Sequence, residues 1–415
     1  MHKLTTELTH PCFILISMER FRALNRYARK GDFIMKSFIR TTILICCLMG
    51  LACPTKTDAS ISQDSSAVAT TTPVVQVRAK KVSKTGEVLL ACPYSKLKKK
   101  KMKHCDIVRV STDSISMDIP ICDKRTDVNL RAAYIRWDKA TGNVYLSMNH
   151  GKFAKKYNIN KGTKISLQCV KKNGYYEEYK AHQYVISDRR KDYKNDCVFA
   201  NFREVSATGI APKTLYRSGN PLHYKDSPNR SYYCAKLMKK YKIKSVVNMS
   251  NTKKEMKAIF KKKPTSTSYY KKLWMKKNVY YGQFTTDMTS DAYMTPVISA
   301  LRFMIDAPAP YMIHCNMGKD RTGYLCALLM ALTGSSYEEI VDEYMTSFEN
   351  YYGIKAGTKR WEIIADGNIR SLLAESFITN EWAKANPSQA ATNYLKKYGM
   401  SDREIETLKK KLAGE

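Results

Sequence analysis

The sequence predicts an α/β chain, with a largely parallel sheet flanked by helices, preceded by a small mainly β domain. Three observations carry this. Between Val74 and Lys191, short alternating apolar runs are separated by turn residues. From about Asn201, apolar strands alternate with helical patterns. Between an apolar run at 311–314 and a strongly apolar helix at 322–333 lies a compact polar loop. The 415 residues suit two domains and a non-globular start, and a hydrophobic content of 44% is ample for packed cores.

The start of the chain reads as an export segment. Residues 35–40 form a short basic head, 41–52 are almost all apolar, and Cys53-Pro54 opens a Ser/Thr/Ala/Asp stretch. That order is a secretory signal, with a core too short to span a bilayer. Residues 1–34 are read as a misassigned extension before a start at Met35, 35–53 as the signal and 54–73 as a polar linker. Gly50-Leu51-Ala52-Cys53 resembles a bacterial lipobox, with Cys53 as the lipidated residue. Gly50 stands where Leu is usual, so simple cleavage near Ala52 is the alternative. The expectation is an exported bacterial protein: periplasmic, anchored to a membrane through Cys53, or secreted.

Charge narrows the partners. With 71 Lys+Arg against 37 Asp+Glu, the formal charge is +34. Such a surface attracts polyanions. The lysine runs lack interleaved stacking aromatics, so nucleic acid is not expected. Twelve cysteines are too few for a disulfide scaffold at this length. None pairs with another Cys or a His at metal-ligand spacing, so no metal and no cofactor are expected.

In the β domain, 74–195, strands are expected around 87–90, 107–110, 116–119, 144–147 and 164–167, with a short helix around 153–157. Lys84-Thr85-Gly86, Thr141-Gly142-Asn143 and Asn173-Gly174 supply turns. It shows no chemical constellation, and its expected role is structural or substrate-positioning. In the second domain, 196–415, strands are expected at 245–249, 279–284 and 311–314. Helices are expected at 295–305 and 322–333, the latter ending at Gly334. Ser335-Ser336 with Glu338-Glu339 is a capping box for the next helix. Amphipathic helices at 391–398 and 402–412 close the chain.

The loop His314-Cys315-Asn316-Met317-Gly318-Lys319-Asp320-Arg321-Thr322-Gly323 carries the chemistry. A thiolate is the nucleophilic form of cysteine, and a helix N-terminus plus a fixed cation lower a thiol pKa from about 8.5 toward roughly 3.5–7.5. A loop closing on a helix start aims several N–H groups at one point. Gly318 permits the tight turn. Arg321 can curl back and fork two phosphate oxygens, and the Thr322 hydroxyl can serve the sulfur. The bland alternative is a buried structural cysteine beside a surface arginine.

This string resembles the signature of the cysteine-dependent protein-tyrosine-phosphatase superfamily, in the form found in its bacterial tyrosine and lipid phosphatase branch. Asn201-Phe202-Arg203-Glu204-Val205, Leu215-Tyr216-Arg217-Ser218-Gly219-Asn220-Pro221, residues 243–249 and the closing helices are similar too. The likeness covers about half of the chain. It implies a tyrosine-phosphatase-like sheet and a two-step hydrolysis of phosphate monoesters through a phosphocysteine on Cys315. In that scheme Asn316, Met317, Gly318, Lys319, Asp320, Thr322 and Arg321 bind the phosphate, with His314 and Arg217 in support. The general acid is expected to be Asp287, on a loop 28 residues before Cys315. Asp320 is the rival and Asp291 a neighbour able to substitute. The branch usually carries Asp at the position of Asn248 and Arg near Ser250; both are missing here. Implied substrates are phosphotyrosine proteins, with dual specificity in view. Phosphoinositides or inositol phosphates are the alternative, and a non-catalytic phosphate-binding surface protein is the reading from another class.

Overall fold

A computed structural model describes residues 73–222, 228–262, 265–282 and 284–415. The expected signal at 35–53, Cys53, the extension at 1–34 and the linker up to residue 72 lie outside the described residues.

The first part is a closed barrel of seven strands: β1 (Val74–Val82), β2 (Val88–Pro93), β3 (Ile107–Ser111), β4 (Ser116–Cys122), β5 (Ala133–Trp137), β6 (Asn143–Met148) and β7 (Lys164–Lys171). The order around the barrel is β1-β2-β6-β5-β4-β3-β7, and β7 closes it by pairing antiparallel with β1. Only β4 and β5 run parallel among these pairs. Alternation builds the interior: in β1, Val75, Val77 and Ala79 are buried while Val74, Gln76 and Arg78 face water. Val88, Leu90, Val108, Val110, Ile119, Ile121, Ile135, Val144, Leu146, Ile165 and Leu167 fill the rest of the lumen. Closure leaves no free edge, which solves the pairing problem of exposed strands.

The second part holds a five-stranded sheet ordered β11-β10-β12-β9-β8, from β8 (Arg203–Glu204), β9 (Leu215–Ser218), β10 (Ser245–Asn248), β11 (Val279–Tyr281) and β12 (Tyr311–His314). All pairs are parallel except β8 with β9. The register sets His314 against Asn248 on one side and Ser218 on the other. The loops after β9, β10 and β12 therefore leave the sheet level with one another at its carboxyl edge, where open α/β sheets place their ligands.

Helix Asp320–Thr333 rises from that edge, buried from Thr322 to Leu332. A helix apolar all round belongs in the centre of a domain; here it packs on helices Tyr337–Tyr352 and Pro387–Lys397. Its stop is Gly334 at φ 104°, and the next helix opens on a capping box between Ser336 and Glu339. Several boundaries differ from expectation. The helix expected at 295–305 spans Asp291–Asp306 and carries Pro296 inside it, one turn further in than a proline is best tolerated. The strand expected through Phe284 stops at Tyr281. The penultimate helix begins at Pro387, a residue suited to a first turn.

Barrel and sheet domain are joined by polar contacts. Arg360 donates to the carbonyls of Ala181 and Gln183, both at 3.0 Å. Within the barrel domain, His182 Nε2 lies 2.6 Å from Asn129 Oδ1 and so holds the loop that meets the sheet domain. A Cβ on Gly367 would meet Asn129 Cγ at 1.7 Å, so only glycine admits the barrel loop there.

Candidate active site

The loop after β12 is shaped by what its carbonyls do. Asn316 O accepts from Asn220 N at 3.0 Å. Met317 O accepts from Tyr351 Oη at 2.5 Å and Asn201 Nδ2 at 3.3 Å. Gly318 O accepts from Arg217 at 2.7 Å and Asn201 at 3.1 Å, and Lys319 O from Arg217 at 3.1 Å. In a trans peptide the N–H points opposite to the carbonyl. Four carbonyls tied outward therefore turn the N–H groups of residues 317–320 inward, the polarity an anion needs. Gly318 sits at φ 67°, and a Cβ there would strike Ser218 O at 2.1 Å.

Cys315 is 4% exposed. Burial pushes its thiol pKa up, but the Arg321 charge and the hydroxyl and N–H of Thr322 outweigh this, and the net shift is downward. Thr322 Oγ1 is buried with no oxygen or nitrogen partner among the described residues, which leaves its proton for the sulfur. Arg321 is anchored by a hydrogen bond to Met249 O and by a long one, 3.5 Å, to Phe284 O. The arginine thus links the loops after β10, β11 and β12.

His314 is fully buried, and burial with the Arg321 charge pushes its pKa down to about 3. Its tautomer follows from its neighbours. Asn248 Oδ1 accepts from the N–H groups of Ser250 and Asn251, both at 2.9 Å, so Asn248 Nδ2 donates to Tyr270 Oη at 3.0 Å. Tyr270 then donates to His314 Nε2 at 3.0 Å, and the ring proton stays on Nδ1, 3.4 Å from Cys315 O. Asn248, unusual for the branch the sequence resembles, needs a donor and an acceptor at once; an ionised Asp offers only acceptors.

Arg217 is wholly buried and pairs at 2.5 Å with Glu343, which also holds Arg203 at 2.7 Å. Asn201 and Arg203 were legible as a stretch, but their grip on the loop was not; only the packing of helix Tyr337–Tyr352 behind β9 supplies Glu343, Ser347 and Tyr351.

The candidate acids occupy different settings. Asp320 lies 2.5 Å from Lys319 Nζ and accepts from Tyr344 Oη at 3.3 Å. Burial raises its carboxyl pKa, yet the Lys319 charge prevails and holds it below the usual range. Asp287 sits on the loop after β11, where Thr289 donates to its carboxylate at 3.3 Å and Ser290 to its carbonyl at 2.6 Å. Asp291 instead accepts from Tyr398 Oη at 2.9 Å at the start of its helix.

The β domain, in which the sequence showed no constellation, reaches this loop. Arg131 NH1 lies 3.4 Å from Asp287, and His150 Nδ1 lies 3.1 Å from Thr286 Oγ1. Neither residue had a sequence signal, since each follows ordinary strand or turn patterning.

A thiol drawn toward its anion, ringed by inward amides and closed by an arginine on a strand–loop–helix of a parallel sheet, defines a cysteine-dependent phosphatase. Residues 198–414 match the family described as Tyrosine phosphatase family, and the chain belongs to it. It is a tyrosine-phosphatase-like enzyme. No curated protein matches the chain. Among solved structures it is similar to an uncharacterized conserved protein from Thermotoga maritima, at 20% identity and a TM-score of 0.22, over 23% of this chain and 36% of that one. The chain thus spans about a third of that protein. It is also similar to the core catalytic domain of the PP-IP phosphatase SIW14 from S. cerevisiae, at 21% identity and a TM-score of 0.25, over 42% of this chain and 91% of that one.

Proposed function

We propose that the chain hydrolyses phosphate monoesters in two steps on Cys315. The thiolate attacks phosphorus in line; the bond to the leaving oxygen breaks, and that oxygen takes a proton from Asp287. Water then attacks the phosphocysteine and gives its proton back to the Asp287 carboxylate, while the sulfur leaves as thiolate with help from Thr322. Arg321 and the inward amides hold the equatorial oxygens throughout, which is stabilisation by preorganised donors. His314 and Arg217 act through the loop by fixing its shape. Asp287 is preferred to Asp320 as the acid because it stands on the loop after β11, 28 residues before Cys315, and Arg321 ties that loop to the site through Phe284 O.

The observation that carries this reading is the set of outward-tied carbonyls around a thiol whose pKa is lowered. The substrate proposed first is a phosphotyrosine protein, with dual specificity included. The charge of +34 favours a second reading, inositol phosphates or phosphoinositides. Export is proposed on the pattern at 35–53, with either a lipid on Cys53 or simple cleavage near Ala52, and the mass of the mature N-terminus from cells tests which.

The central test compares wild type, Cys315→Ser, Asp287→Asn and Asp320→Asn on an aryl phosphate. Loss of turnover in Cys315→Ser supports the mechanism. Equal, near-zero rates in wild type and Cys315→Ser would make the chain a phosphate binder instead.

A further inference from the structure

The barrel does more than support the sheet domain. Beside the loop after β11 lies a cleft of about 870 Å³, walled on the barrel side by Arg131, His150, Lys152, Lys155 and Lys156 and on the other by residues 285–287. That volume falls within the roughly 300–1,000 Å³ of small-molecule sites. Lys152, Lys155 and Lys156 are exposed around the short helix Phe153–Lys156 and form no ion pair with a described carboxylate. The acid lining the cleft is Asp287, which Arg131 already pairs. The cleft therefore carries a net positive charge with unspent donors.

It also adjoins the catalytic loop. His150 bonds Thr286, and its ring feels the charges of Asp320, Lys319 and Arg321. Phe284 O, three residues before Asp287, is held by Arg321. A ligand spanning both places needs a second anion close to the first.

We propose that this cleft is a second anion subsite, which receives a non-scissile phosphate of a multiply phosphorylated cyclitol while another phosphate lies on the Cys315 loop. The proposal rests on the phosphatase reading above. A lysine is a point charge with three donors, and three on one turn suit clustered anions on a small ring. An extended peptide presents successive side chains to opposite sides and meets such a cluster poorly. The ring can come free or as a lipid headgroup.

The test removes charge without touching the phosphate loop. Lys152→Ala/Lys155→Ala/Lys156→Ala is compared with Lys98→Ala/Lys99→Ala/Lys100→Ala, an equal charge loss on exposed barrel lysines outside the cleft. Substrates are inositol hexakisphosphate, a short-chain phosphatidylinositol trisphosphate, an aryl phosphate and an acidic phosphotyrosine peptide. The cleft triple is expected to lower kcat/KM for a polyphosphorylated ring, relative to the aryl phosphate, by roughly tenfold, as for loss of one charge-assisted contact. The control triple leaves that ratio in place. Loss on the free ring or on the lipid supports the subsite and names the source. Equal loss on all substrates, no loss, or loss confined to the peptide would overturn it. Binding of inositol hexakisphosphate to Cys315→Ser, with and without the cleft triple, reads the subsite independently of turnover. Should wild type lack turnover, the phosphatase reading fails while this binding difference still decides the subsite.

Discussion

Arg131, on the barrel, sets its guanidinium 3.4 Å from the carboxylate of Asp287, on the loop after β11, while its Nε lies 3.1 Å from Glu375. A residue of one domain thus bridges two acids of the other, at a side-chain exposure of 22%. The barrel fixes where the candidate acid stands, and the first prediction follows. Arg131→Ala should lower kcat on an aryl phosphate about tenfold with KM little changed, because a misplaced acid costs rate more than binding. Arg131→Lys should recover part of it. An unchanged kcat in Arg131→Ala would show that the loop holds itself.

Thr322 supports the thiolate. Its loss removes stabilisation of the charged form, so the Cys315 pKa must rise and the acidic limb of kcat/KM must move to higher pH in Thr322→Val. Alkylation rates with iodoacetamide against pH read the same shift directly. A limb that stays in place would assign the lowered thiol to Arg321 and the Thr322 N–H, without the hydroxyl.

Arg217 is buried against Glu343 and two loop carbonyls. Arg217→Met leaves those acceptors short of a donor and should destabilise the protein by about 3 kcal/mol in urea unfolding, the scale for breaking a buried pair. Because the same guanidinium shapes the loop, activity should fall at urea concentrations where the chain is still folded.

Gly318→Ala tests the turn. The positive φ and the clash with Ser218 O act together, and a cost of about 1–3 kcal/mol is expected. Turnover should fall further than stability, since the amides of the cradle move with the turn. A fully active alanine variant would mean that β9 yields.

His314 gives a pH signature. Its pKa drops from an ordinary value of about 6.5 in the unfolded chain to about 3 in the fold. The unfolded chain binds the proton more readily between those values, so His314 lets stability rise with pH there. Its contribution is complete above about pH 6.5 and is lost progressively as pH falls toward 3. The slope is roughly 1.4 kcal/mol per pH unit. His314→Gln should flatten that slope in urea titrations between pH 4 and 6, on the order of one proton; an unaltered slope would show that other groups set it.

Much of the site was legible because its chemistry is local. Cys315, Gly318, Arg321 and Thr322 fall within eight consecutive residues, and the strand before them and the helix after them have strong apolar patterns. The loop's scaffold was legible only in fragments. Asn201, Arg217 and Asn220 lie in quoted stretches, but their donors find particular carbonyls about a hundred residues away. Glu343, Tyr344, Ser347 and Tyr351 show only helical periodicity in the sequence. Arg131 and His150 show no pattern at all, since a lone basic residue in a turn has no spacing to betray it.

Sequence alone determined that short alternating runs precede an α/β unit, and that Cys315, the candidate nucleophile, sits on a strand–loop–helix with Arg321. Those properties depend on residues within one or two elements, so periodicity and motif spacing carry them. Tertiary structure alone decided that β7 returns to β1 to close a barrel, which carbonyls are tied outward, and that the barrel presses Arg131 against Asp287. These are contacts between segments far apart in the chain. Such contacts are chosen by packing and by partners for buried polar groups, which no local pattern records.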